Sequence, residues 1–257
     1  VQPYKYNGKE LDTKKGLNLY DYGARHYDAA LGRWHVVDPS SEKYGMWSPY
    51  SYCKDNPIIR IDVDGKDDYI LTSTGKLYID RVTNSATDKV TFYRTNNFVT
   101  INDKSLLPKM IEHQKDWTTG YSTFGDTENL KDAATLFKFA ADNTNVEWKL
   151  DVYNENNNTT AIVITDHNSS TVQSGDFAKK QTGTMGDKII DIHSHPSPNS
   201  KGASSEDKQN INAKYNAVYF KNDNTLREYD SQSTSTVSVN MNTTEDLQEY
   251  IIERVEK

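Results

Sequence analysis

Apolar and polar positions alternate in short runs along most of the chain, and the period of that alternation changes with position. Between residues 4 and 34, Tyr4, Tyr6, Leu19, Tyr20, Tyr22, Tyr27 and Trp34 stand among the turn formers Asn7-Gly8, Gly16 and Gly32. Aromatic runs punctuated in this way predict a meander of short strands, because Gly and Asn tolerate the positive φ that tight turns require. Residues 68–72 and 76–79 flank Ser73-Thr74-Gly75 and, with 89–93 and 98–101, give hairpin signals. From 128 to 142 the period becomes helical: Leu130, Ala134, Phe137 and Ala141 share one face, and Asp126 or Thr127 is placed to cap the start. A strand over 146–153, an Asn-rich tip at 154–158 and a second strand over 161–165 follow. The β-branched run before His193 predicts another strand, 204–213 a helix, and 217–220 with 225–229 a hairpin. From about 245 a last helix buries Leu247, Tyr250, Ile251 and Val255.

Composition narrows the class. The 257 residues allow one large domain or two small ones at about 100–200 residues each. With 30 Lys and Arg against 37 Asp and Glu, the net charge is −7, which disfavours a nucleic-acid partner that needs clustered positive charge. Only 35% of residues are hydrophobic, but 17 Tyr, 7 Phe and 4 Trp make the chain too aromatic for a disordered acidic segment. No stretch approaches the ~20 apolar residues of a membrane span, and the start lacks a signal-peptide layout. A soluble chain is expected, with any export signal elsewhere. The single cysteine, Cys53, excludes an internal disulfide and every zinc site built on two thiolates. A metal here takes His, Asp or Glu.

One resemblance covers about a quarter of the chain. The runs YKYNGKELD (4–12), GLNLYDYGARHYD (16–28), GRWHVVDP (32–39), WSPYSY (47–52) and NPIIRIDVDG (56–65) stand in fixed order and resemble the C-terminal part of an Rhs-repeat-associated core. The resemblance implies the tail of a larger polypeptide, whose core closes a β-cocoon around a variable toxin domain. Many relatives end this core in a self-cleaving Asp-Pro-x-Gly. Here Val63 replaces the Pro in Asp62-Val63-Asp64-Gly65, which argues against self-cleavage. Asp62, Asp64, Asp67 and Asp68 read as a solvated acidic turn, without the ligand order of an EF-hand.

The chemistry lies in Asp-Ile-His-Ser-His-Pro at 191–196 and Ser204-Ser205-Glu206-Asp207. On a strand, His193 and His195 point to the same face. Two neutral imidazoles and one carboxylate make a three-ligand site that leaves the fourth position of a catalytic zinc to water. His-Ser-His-Pro followed by Ser-x-x-Asp resembles the JAB/MPN (JAMM) metallopeptidase motif. That resemblance implies His193, His195 and Asp207 as Zn²⁺ ligands, Ser204 beside the tetrahedral intermediate, and an upstream general base on a strand that follows a helix. Glu147 fits this last role better than Glu155 in the Asn-rich tip. Eleven residues separate His195 from Asp207; the family's usual interval is one shorter, which would put the ligand at Glu206. Asp207 is preferred because a loop before Ser204 absorbs an extra residue easily and the Ser-x-x-Asp spacing stays intact. His26, His35, His113 and His167 lack paired spacing and read as structural.

Ordinary explanations compete with each piece: a capping box for Ser204 and Asp207, half-buried polar decoration for the histidines. Asp-x-His-x-His also resembles the entry motif of metal-dependent phosphoesterase barrels, but no histidine follows His195, so the further ligands such a barrel needs are missing. The expected architecture is α+β: an Rhs-core β-meander over 1–65, a β-rich lead-in over 66–125, and a JAB/MPN-like mixed sheet flanked by helices over 126–257. The expected function is that of a toxin domain delivered into a target cell, cutting a peptide or isopeptide bond of a protein substrate and neutralised by a cognate immunity protein. The alternative is a catalytically inactive JAB-like binding module on an Rhs tail.

Overall fold

The computed structural model describes residues 4–6, 9–22, 25–37, 48–52, 67–81, 86–117, 120–197, 200, 202–232 and 237–256. Two compact units result: Val1–Asp67 with Asp80–Ser85, and Asp68–Ile79 with Ala86–Lys257.

In the first unit, β1 (Tyr4–Tyr6), β2 (Lys9–Asp12), β3 (Leu19–Asp21), β4 (His26–Asp28) and β5 (Arg33–Trp34) form an antiparallel meander in sequence order. The aromatic residues that suggested these strands are its core: Tyr22, Tyr27, Trp34 and Tyr52 are buried together, with Tyr6 and Tyr20 against them. The Tyr22 and Tyr52 hydroxyls hydrogen-bond at 2.9 Å. The Arg25 guanidinium lies 4.1 Å from the Trp34 ring centroid, a cation–π contact. Cys53 and the segment 62–65, where self-cleavage was considered, lie outside the described residues.

A four-stranded sheet, most of whose residues belong to the second unit, follows: β6 (Asp67–Leu71), β7 (Leu77–Arg81), β8 (Asp88–Phe92) and β9 (Phe98–Ile101), ordered β7-β6-β8-β9. Asp67 and Asp68, read from sequence as part of a solvated turn, are strand residues. After α1 (Leu106–Glu112) comes an eight-stranded sheet. Its strands are β10 (Lys115–Trp117), β11 (Gly120–Thr127), β12 (Lys149–Glu155), β13 (Asn158–Thr165), β14 (Asp187–His195), β15 (Tyr215–Phe220), β16 (Thr225–Glu228) and β17 (Ser238–Asn240). Their order is β10-β11-β13-β12-β14-β15-β16-β17. The helices α2 (Leu130–Asn143), α3 (Gly175–Thr182), α4 (Ser205–Gln209) and α5 (Thr244–Val255) are threaded between them.

The period-2 alternation of side chains assigns the two faces of this sheet. Leu150 and Val152 of β12, Ile190 and Ile192 of β14, and Ala217 and Tyr219 of β15 share a core with Ala134, Phe137 and Ala141 of α2 and Leu247 and Ile251 of α5. The same core takes in Leu71, Leu77, Val90 and Ile101, so packing runs without a break across residue 125, where the sequence suggested a boundary. The opposite face carries Asp191, His193 and His195. Farther along it Phe124, Tyr153, Ile162 and Ile164 pack on Ala178 of α3.

Two local differences from the sequence reading have simple causes. Helix α2 is capped by Asn129, whose side chain accepts from Asp132 N, because Thr127 is still paired with Ala161 in the sheet. The strand of Glu147 begins only at Lys149; Glu147 lies in the approach to it.

Candidate metal centre

Only β14 and β15 pair in parallel; the other described strand pairs of this sheet are antiparallel. A parallel pair needs a crossover, and α4 lies within it. The crossover leaves from the C-terminal end of β14, so the helix returns beside the last residues of that strand, His193 and His195. Helix α4 starts in a capping box: Ser204 Oγ accepts from Asp207 N at 3.1 Å and Asp207 Oδ2 accepts from Ser204 N at 2.6 Å. The box fixes Asp207 toward the histidines.

Three side chains converge. His193 Nε2 and His195 Nε2 are 3.2 Å apart, Asp207 Oδ1 is 3.3 Å from His193 Nε2, and Asp207 Oδ2 is 3.7 Å from His195 Nε2. Donors held about 2.0–2.1 Å from a zinc-sized ion at tetrahedral angles stand about 3.3–3.4 Å apart, so the three donors fit such an ion nearly as they stand. His193, His195 and Asp207 form one group able to hold a metal. Asp207, not Glu206, supplies the carboxylate. His113 stacks on Phe124 and His167 bonds Thr74 O and Thr123 Oγ1; neither joins the group.

Glu147 Oε1 stands 3.9 Å from His195 Nε2. Ser194, between the two histidines and on the other face, places it: Ser194 Oγ accepts from Trp148 N at 2.9 Å, and Ser194 N donates to Trp148 O at 2.8 Å. Glu147 itself is fixed through its backbone, by Asn168 O and Thr165 Oγ1. Glu147, His193, His195 and Asp207 line a cleft of about 300 Å³ that also includes Lys149, Asp191 and Tyr229.

The electrostatics suit proton transfer. Burial raises the Glu147 carboxyl to about 7; His193 opposes the shift, and the charges of Asp207 and Glu206 add to it. Burial, reinforced by the charge of His193, lowers His195 to about 4, which favours the neutral imidazole a metal needs. Burial also works against a charged His193, but the hydrogen bond and charge of Asp207 hold its pKa above the ordinary value. Asp207 is held well below the carboxylate range despite burial, by His193 and by backbone and side-chain hydrogen bonds from Ser204.

A buried quartet adjoins the ligands. Lys149 Nζ is 2.8 Å from Asp191 Oδ2, and Lys188 Nζ is 2.9 Å from Asp151 Oδ2 and 3.2 Å from Asp191 Oδ2. An irregularity where β12 and β14 pair, between Val152 and Tyr153, brings Lys188 onto the face of Asp191, from which strict alternation would exclude it. The sequence reading missed the quartet, Ser194 and Tyr229. The alternation of charges along 149–151 and 188–191 was a signal for the first; the other two had none.

A His–His–carboxylate group able to hold a metal thus stands beside a buried acid. Residues 125–217 match the family model for JAB-like toxin 1, a stretch that contains Glu147, His193, His195, Ser204 and Asp207. Over 63 residues, 24% of this chain, the sequence is 43% identical to Salivary gland surface protein 1 of Aedes aegypti, and the match spans about 2% of that protein's length. No solved structure matches. Among the described residues no helix is long and apolar enough to cross a membrane.

Proposed function

We propose that the second unit is a zinc-dependent peptidase or isopeptidase and acts as the toxin domain of an Rhs-type effector. The observation that carries the reading is the convergence of His193, His195 and Asp207 at tetrahedral spacing with Glu147 beside them. A bound divalent ion supplies Lewis acidity, making a water acidic enough to attack and polarising the scissile carbonyl. His193, His195 and Asp207 would hold the ion, with zinc favoured by two imidazoles and one carboxylate. Glu147, whose pKa lies near neutrality, takes a proton from the attacking water and returns it to the leaving nitrogen. Ser204 keeps Asp207 in place.

Similarity of 125–217 to a JAB-like toxin supports the toxin role, and the aromatic meander of the first unit supports an Rhs-core origin. On this reading the domain is encased in the parent cocoon, delivered into a target cell and neutralised in the producer by an immunity protein. The test is zinc-reconstituted protein incubated with peptide and isopeptide libraries beside Glu147→Gln. Cleavage by wild type and none by a variant that retains zinc supports the proposal; equal cleavage by both removes Glu147 from it.

A further inference from the structure

Among the hydroxyl side chains that line the cleft, Ser204 and Tyr229 are engaged differently. Ser204 is committed to Asp207: its Oγ accepts from Asp207 N at 3.1 Å, and its side chain also hydrogen-bonds to the carboxylate. Tyr229 follows β16, where its backbone N–H bonds Asn216 O at 2.9 Å. Its ring stands edge-on to His193, centroids 6.1 Å apart and planes at 79°. The ring is packed with Ala203, Val218 and Phe220 and is only 6% exposed. Tyr229 lines the cleft of Glu147, His193, His195 and Asp207, yet its hydroxyl has no hydrogen-bond partner among the described residues. Because the ring is gripped on several sides, the hydroxyl is held in one place and its proton is free for a group that enters the cleft.

We infer that Tyr229 is a further catalytic residue of this site, its hydroxyl donating a hydrogen bond to the carbonyl oxygen of the amide being cut. The inference rests on the hydrolase reading above and gives the reaction a donor that Ser204, already engaged, does not supply. As the water oxygen bonds to the carbonyl carbon, the C=O π pair moves onto the carbonyl oxygen, and the Tyr229 O–H holds that oxygen without surrendering its proton. When the C–N bond breaks, the pair re-forms C=O and the amine departs with the proton carried by Glu147. Water and amide become acid and amine, with nothing else consumed. A fixed donor aimed at an oxygen that gains charge helps most in the transition state.

The test uses Tyr229→Phe, which removes the hydroxyl and keeps the ring against His193. Zinc content and the affinity for acetohydroxamate, a small probe with an amide-like carbonyl oxygen, are measured by elemental analysis and calorimetry on the zinc-loaded full chain. Expected are unchanged zinc and an affinity about five- to tenfold weaker than wild type, the loss of one hydrogen bond. Three results overturn the inference: equal affinity in the variant, no binding of the probe by loaded wild type, or loss of zinc by the variant, which makes the residue merely structural. A wild-type chain that takes up no zinc refutes the hydrolase reading itself, so the two failures are distinguishable.

Discussion

Replacing Glu147 by Gln removes the proposed base, and the structure predicts that it also stabilises the metal-free protein. Glu147 is 5% exposed, and its pKa is raised from 4.5 to about 7. Over that interval the folded chain binds a proton that the unfolded chain has lost. Stability contributed by the protonated acid is therefore fully present below about pH 4.5 and declines as pH rises through about 7. At about 1.36 kcal/mol per pKa unit, a shift of about 2.5 units corresponds to roughly 3 kcal/mol of native-state penalty at pH 8. Gln occupies the same space without the charge but keeps a polar amide there, so the expected gain is about 1–3 kcal/mol. Urea unfolding of chelator-treated wild type and Glu147→Gln at pH 8 and pH 5 measures it. The variant should be the more stable at pH 8, with the difference largely gone at pH 5. A variant no more stable than wild type at pH 8, or a gain that is the same at both pH values, refutes the assignment of a strained carboxylate.

Other consequences are equally open to measurement. Lys188→Met leaves Asp151 and Asp191 with one cation between them and should cost about 3–5 kcal/mol in urea unfolding; a loss below 1 kcal/mol would show that the quartet does not hold β12 to β14. Ser204→Ala removes the cap of α4 and the clamp on Asp207, so zinc affinity in a competition titration should fall about 10–100-fold; unchanged affinity would mean that Asp207 needs no support. Gly186 has φ +85°, and a Cβ there would sit 2.1 Å from Asn154 O. Gly186→Ala should therefore cost at least about 2 kcal/mol, and a thermal melt indistinguishable from wild type would contradict this geometry.

The parts of the fold that were legible in the sequence are those in which local pattern and tertiary role agree. The β-branched run into His193 and His195 is both a good strand and the carrier of two ligands on one face. Ala134, Phe137 and Ala141 lie on the buried face of α2 with Leu130 partly buried beside them, and Asn156-Asn157 takes the positive φ values of the β12–β13 turn. Legibility ended where tertiary contact overrides composition. In α3, Phe177 and Ala178 are the main apolar positions among Gly175–Thr182, too few for a helical period. The sequence of β11, Gly-Tyr-Ser-Thr-Phe-Gly-Asp-Thr, reads as turn formers; it is a strand because β13 pairs with it from Thr123 to Thr127. Helix α1 carries Pro108 in its first turn, where proline is tolerated. At the site, the resemblance to the JAB/MPN motif pointed to His193, His195, Asp207, Ser204 and Glu147. The long-range partners Ser194, Lys149, Asp191 and Tyr229 come together only through the parallel crossover and the β12–β14 pairing.

The central claim is that His193, His195 and Asp207 bind a catalytic metal, and metal stoichiometry tests it most directly. Wild type and His195→Ala, each reconstituted with zinc and dialysed, should carry about one zinc per chain and none, respectively. No zinc in wild type, or equal zinc in both proteins, would contradict the account.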